Sequence, residues 1–145
     1  MLYKYLFVII IYFACYFCSL DSLFAQIGSQ IRPRQASHGL ILTQAVTCEV
    51  IQNHSPQNIS VIFSADLEMV CCYTSFDPVP KKGNIYHTWY YRDNFVTKIK
   101  LAINPPRWST FSSIQLRKMD KGPWRVEIED ELGKIYNILR FSVTD

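Results

Sequence analysis

At 145 residues the chain has room for one domain and little more. With 49% hydrophobic and 19% charged residues it is no disordered tail, and it carries enough apolar surface for a core. A net charge of +3, with no Lys/Arg run interleaved with aromatics, argues against a nucleic-acid partner.

The chain begins "MLYKYLFVIIIYFACYFCSLDSLFAQ". Lys4 lies in a short head, an apolar run follows from Tyr5 to about Leu20, and Asp21 and Ser22 break it. Ala25 then offers a small residue just before Gln26. Basic head, apolar centre and small residue at the cut are the layout of a secretory signal peptide, expected over residues 1–25. The run is short of the ~20 apolar residues that a span wants, which disfavours the alternative of an uncleaved membrane anchor. The expectation is an exported protein of the periplasm or cell envelope, with no stable span once the signal is removed.

Cys15 and Cys18 leave with that segment, so Cys48, Cys71 and Cys72 remain. Cys71 and Cys72 are neighbours in an extended run, and their side chains leave opposite faces. Only one of them can meet Cys48, so the expected disulfide is Cys48 with Cys71 or Cys72. Such a bridge stabilises by about 3 kcal/mol in the chain-entropy account. The alternative is that all three are small buried hydrophobes.

Residues 26–39, "QIGSQIRPRQASHG", are polar and without period and read as a flexible linker. From Leu40 to Asp145 the chain reads as strands. "LILTQAVTCEVI" alternates with Leu42, Val46, Cys48 and Val50 on one face. "NISVIF", "LEMVCCYTSF" and "NIYHTWYY" follow, then "FVTKIKLAI" with Phe95, Thr97, Ile99, Leu101 and Ile103 in line. "WSTFSSIQL", "PWRVEIE" and "KIYNILRFSV" complete the series, the last with Ile135, Leu139, Phe141 and Val143 sharing a face. Period-2 patterning between short turns predicts an all-β domain over residues 40–145. Its size fits a single immunoglobulin-like antiparallel β-sandwich of about seven strands. "RDN" at Arg92–Asn94 predicts a tight hairpin, and Gly133 in "EDELGK" supplies the positive φ that a hairpin loop needs.

In "YHTWYY" the residues His87, Trp89 and Tyr91 alternate onto one face and Tyr86, Thr88 and Tyr90 onto the other. Trp89 reads as a core anchor, as do Trp124 and Phe141 on the apolar side of the last hairpin. Glu127, Glu129, Asp130 and Glu131 fall on the wet side and tip of that hairpin. Glycoside cleavage needs two carboxylates facing one cleft, so no catalytic residue is expected. The histidines and cysteines show no metal-ligand spacing, so neither metal nor cofactor is expected. Arg107, Arg117, Lys118, Lys121 and Arg125 are close in sequence and suggest an anion- or glycan-facing patch.

Together, "HTWYYRDN", "WSTFSS" and "GPWRVEIEDELGKIYNILRFSV" resemble the bacterial domain of unknown function 2914 family. The matching residues are His87, Trp89 and Tyr90; Thr110, Phe111, Ser112 and Ser113; Gly122, Trp124, Arg125, Val126 and Glu127; Asp130 and Gly133; and Phe141 and Val143. The resemblance runs from about Leu40 onward. It departs at Ser109, where the family usually has an arginine; Arg107 lies two positions away. The resemblance implies an extracytoplasmic bacterial β-domain and brings no activity, substrate or cofactor.

The functional expectation is a non-catalytic recognition module of the cell envelope, with a protein or glycan partner. Its candidate binding face is His87, Tyr90, Trp108 and Arg125. The rival readings are an envelope enzyme acting on glycans, and a structural subunit associating by an edge strand.

Overall fold

The computed structural model of the protein describes residues 39–145. The expected signal peptide, and all of the expected linker but Gly39, lie outside the described residues. Nine strands follow in chain order: β1 (Leu42–Gln52), β2 (Ser55–Ile59), β3 (Ile62–Ser64), β4 (Met69–Phe76), β5 (Gly83–Tyr91), β6 (Asn94–Ile103), β7 (Trp108–Gln115), β8 (Gly122–Asp130) and β9 (Ile135–Thr144). They form a four-stranded sheet in the order β2-β1-β4-β7 and a five-stranded sheet in the order β3-β9-β8-β5-β6. The all-β reading of the sequence holds. Val70, Cys72 and Phe76 of the first sheet share one buried cluster with Ile85, Trp89, Val126 and Phe141 of the second. Burying side chains of this size contributes about 1.5–3 kcal/mol each, which holds the two sheets together.

Two features of the expected sandwich need correction. There are nine strands among the described residues rather than about seven: each of the eight runs read from the sequence forms strand, and "NISVIF" divides between the sheets. Thr47 Oγ1 donates to Ser60 O at 2.6 Å, and Ser60 N donates to Thr47 O, fixing the end of β2 on the first sheet. Ser60 Oγ then accepts from Ile62 N at 3.0 Å, and the chain joins the second sheet as β3. That strand pairs with β9 in parallel, so the architecture is not wholly antiparallel.

Three β-bulges overturn expected faces, since one extra residue reverses the alternation beyond it. A bulge between Leu42 and Gln44 separates Leu42 from Val46 and Cys48: Leu42 and Ala45 pack against the core, and Val46 and Cys48 lie on the outer face opposite Tyr73 and Cys71. A second, between Trp89 and Tyr90, takes Phe95 out of line with Ile99, Leu101 and Ile103 and sets it opposite Tyr90. A third, between Ile128 and Glu129, exposes Ile135 opposite Glu129.

Turns are built mostly from residues that tolerate positive φ, Arg92 being the exception. Arg92 and Asp93 (φ 46° and 64°) form the expected hairpin, with Asn94 already in β6. Asn53 and His54 (φ 49° and 60°) close the β1–β2 hairpin, whose Ile51 and His54 share a 210 Å³ cavity with Tyr73, Trp108 and Phe111. Gly133 has a φ of 79°, and Asp130 Oδ1 accepts from Leu132 N and Lys134 N to complete the last turn.

Candidate functional site

The expected binding face does not come together as one surface. His87 is completely buried and must be withdrawn from it. Its ring points from β5 to the first sheet, where Nδ1 lies 2.8 Å from Ser112 Oγ and Nε2 lies 3.2 Å from Thr74 Oγ1. Trp89 Nε1 donates to the same Ser112 oxygen at 3.1 Å, and Thr74 Oγ1 donates to Thr110 O. With its hydrogen on Nε2, a neutral ring satisfies this whole chain: Ser112 donates to Nδ1, and Nε2 donates to Thr74. Burial pushes the pKa of His87 down to about 4, so the ring is uncharged at neutral pH. Two of the boxes that carry the family resemblance thus meet at Ser112, inside the core.

Trp108 begins β7 in the first sheet, whereas Tyr90 and Arg125 stand opposite each other in the second. Trp108 is 39% exposed, but it faces the β1–β2 hairpin tip and shares no surface with that pair. Trp89, Trp124 and Phe141 lie in the buried cluster, with Phe141 stacked on Trp124 at 6.0 Å and edge-on to Trp89 at 6.1 Å. Trp124 Nε1 donates to Asp120 O at 2.9 Å, which satisfies its one polar atom.

Around Arg125, which the sequence placed in the binding face, the structure gathers Arg92 and Arg140, which it did not. A 490 Å³ cavity opens at the head of β8, lined by Arg92, Asp93, Arg125 and Arg140, with Val61 and Ile62 as an apolar wall. Arg125 lies 3.9 Å from the centre of the Tyr90 ring, and its Nε donates to Glu127 Oε1 at 3.0 Å. A further guanidinium nitrogen pairs with Asp93. The bond to Glu127, then the charge of Asp93, hold Arg125 more firmly protonated than an ordinary arginine. Tyr90 in turn meets Phe95 edge-on at 6.2 Å.

Arg140 stands directly opposite Arg125 on β9. Like charges in this relation repel. Asp93 and Glu127 compensate Arg125, but Arg92 and Arg140 have no carboxylate partner among the described residues. Arg92 is held instead by Lys121 O at 3.1 Å and lies over the Tyr91 ring at 5.2 Å. Gly122 makes room for it: its φ is 125°, and a Cβ there would stand 3.2 Å from Arg92 Nε. Val61 and Ile62 are 63% and 61% exposed, which is unusual for aliphatic residues beside arginines. The arrangement can hold an anionic group against the two arginines while an apolar neighbour covers the wall.

The other polar residues are engaged elsewhere. Glu129 is held below the usual carboxylate range, chiefly by Lys98 and also by Thr88 Oγ1 at 2.8 Å. The basic residues close in sequence do not gather: Arg117 binds Asp120, Lys121 pairs with Asp145, and Lys118 lies 4.0 Å from Asp66. Arg107 sits exposed ahead of β7, and Ser109 bonds to Ser75 Oγ at 3.1 Å. Among the described residues no three His, Cys, Asp or Glu side chains converge on a metal-sized site, and no helix is long and apolar enough to cross a membrane.

Residues 82–143 match the model of the family described as "Protein of unknown function (DUF2914)". The match takes in β5 to β9, short of the last residue of β9, and therefore the Arg92–Arg125–Arg140 cavity; β1 to β4 lie outside it. Comparison with curated proteins finds no match.

Proposed function

We propose, from the match of residues 82–143 to the family of unknown function DUF2914, that the protein is a non-catalytic recognition module of the bacterial cell envelope. In this reading residues 1–25 direct export, and the two sheets are an immunoglobulin-like sandwich that serves as the carrier for the site. The partner is an envelope protein or glycan presenting an anionic group beside an apolar surface.

One observation carries the proposal: two arginines stand opposite each other in the wall of an open cavity, and two of the three arginines there have no carboxylate partner among the described residues. A fold gains nothing from such an arrangement on its own, whereas an anion between the arginines converts repulsion into charge-assisted hydrogen bonds. The carboxylates support a non-catalytic role. Glu127 and Glu129 are each engaged by a cation, and Glu129 is shifted away from the raised pKa that a general acid needs.

The test is in-cell photo-crosslinking from Ile62, at the cavity wall, with Trp108 as the comparison position. An adduct from position 62 that collapses under a wall-digesting muramidase identifies a glycan partner. One that resists muramidase and yields to protease identifies a protein. Adducts from position 108 alone would move the binding face to the first sheet, and adducts from neither position would overturn the proposal.

A further inference from the structure

The three cysteines among the described residues, all free thiols, are not equivalent. Cys48 on β1 and Cys71 on β4 are direct partners in the antiparallel ladder, and side chains so placed leave the same face of the sheet. That face is the outer one: Cys72, next in sequence, points the other way into the shared core beside Val70 and Phe76. Thr47, not a cysteine, stands opposite Cys72. Cys48 is fully buried and Cys71 is 3% exposed; Ile59 of β2 lies opposite Cys48 in the ladder, and Cys71 Sγ donates to Glu49 O at 3.7 Å.

We infer that Cys48 and Cys71 are a disulfide-forming pair and that Cys72 remains a thiol. The spacing of Cβ atoms in directly opposed antiparallel pairs, about 4.5–5.5 Å, is within a small adjustment of that in a disulfide. The chemistry is thiol–disulfide exchange with an external disulfide as oxidant. The Cys71 thiolate attacks one sulfur of the oxidant and expels a thiolate; the Cys48 thiolate then attacks the Cys71 sulfur and expels the second. The oxidant gains two electrons and leaves as dithiol, and the two cysteine protons pass to solvent or to the leaving thiolates. The same balance holds if Cys48 attacks first, and the register of the pair fixes the product in either order. Burial pushes the Cys72 thiol up and keeps it inert. Since both sulfurs are buried in the folded sheet, the bridge forms before the strands finish packing, and the folded sheet then protects it.

The full chain, unfolded with reductant and refolded in mild detergent with a mixture of reduced and oxidised glutathione, tests this without reference to the cellular compartment. Peptide mapping after alkylation is expected to show Cys48 joined to Cys71 and Cys72 alkylated. The Cys72→Ser variant should keep the bridge and show a melting temperature that falls on reduction. In Cys48→Ser and Cys71→Ser that reduction-dependent fall should vanish. A Cys48–Cys72 link, a link from Cys48 or Cys71 to Cys15 or Cys18, alkylation of Cys48, Cys71 and Cys72 together in refolded protein, or bridges only between chains would overturn the inference. The result is independent of the arginine-lined cavity, which lies in the other sheet.

Discussion

Ser112 Oγ lies 2.8 Å from His87 Nδ1, a hydrogen bond that crosses from one sheet to the other inside the core. Trp89 donates to the same oxygen, so one small hydroxyl satisfies two large side chains of the facing sheet. Ser112→Ala leaves both without this partner in a place water does not reach. It should cost on the order of 2–4 kcal/mol, a loss out of proportion to the single oxygen removed. Urea unfolding checks this: the midpoint should fall without a change in slope. Ser113→Ala, one residue along and facing the other way, should be close to neutral.

His87 gives the fold a pH dependence whose sign follows from its lowered pKa. The folded ring titrates near about 4 and the unfolded one near its ordinary 6.5, so the unfolded chain takes up the proton first as the pH falls. The contribution is complete above about pH 6.5 and is lost progressively as the pH drops from there through 4; it amounts to about 3 kcal/mol. Unfolding free energy measured across this window should decline for the wild type and flatten for His87→Gln. An equal decline in both would place the sensitivity elsewhere.

The pKa of Asp120 is lowered as well, but here the shift favours the charged form of the group. Its carboxylate accepts from Arg117 N, Nε and Nη2 at 2.9, 3.0 and 3.0 Å, and the guanidinium bond holds its pKa below the usual carboxylate range. Asp120→Asn keeps the shape and removes the charge, at an expected cost of about 1–3 kcal/mol. Because the folded pKa is depressed, the wild-type advantage over this variant should be present at neutral pH and disappear as the pH falls below the ordinary carboxylate range. Paired thermal melts at neutral and strongly acid pH read both effects.

Gly122→Ala should damage stability and site together. A side chain at a φ of 125° is strained, and its Cβ would press on Arg92 at 3.2 Å. A loss of about 1–3 kcal/mol is expected, with a weaker crosslink from position 62. Gly83→Ala is the comparison, since a Cβ there meets nothing within 4 Å; it should change stability by about 0.5 kcal/mol or less.

Arg140→Gln separates binding from folding. Removing the like charge opposite Arg125 should leave the protein at least as stable as the wild type in urea. In cells the adduct from position 62 should be lost. Retention of the adduct with unchanged intensity would remove Arg140 from the proposed site.

The sequence by itself determined most of the strands and which residues make the core. Period-2 alternation and turn residues are local properties, and Trp89, Trp124 and Phe141 fall on apolar faces wherever the strands end up. It could not determine where the alternation slips. Counted from the last turn with Glu129 opposite Ile135, Arg125 would face Leu139; the bulge at Ile128 advances the register by one and puts Arg140 there instead. Nor could it assign His87, because alternation gives two faces without saying that the face shared with Trp89 looks across at Ser112. The pairing of Cys48 with Cys71 rather than Cys72 rests in the same way on the register of β1 with β4. Bulges and register are settled by contacts between strands far apart in the chain, and only the assembled sheets could bring Arg92, Arg125 and Arg140 to one cavity.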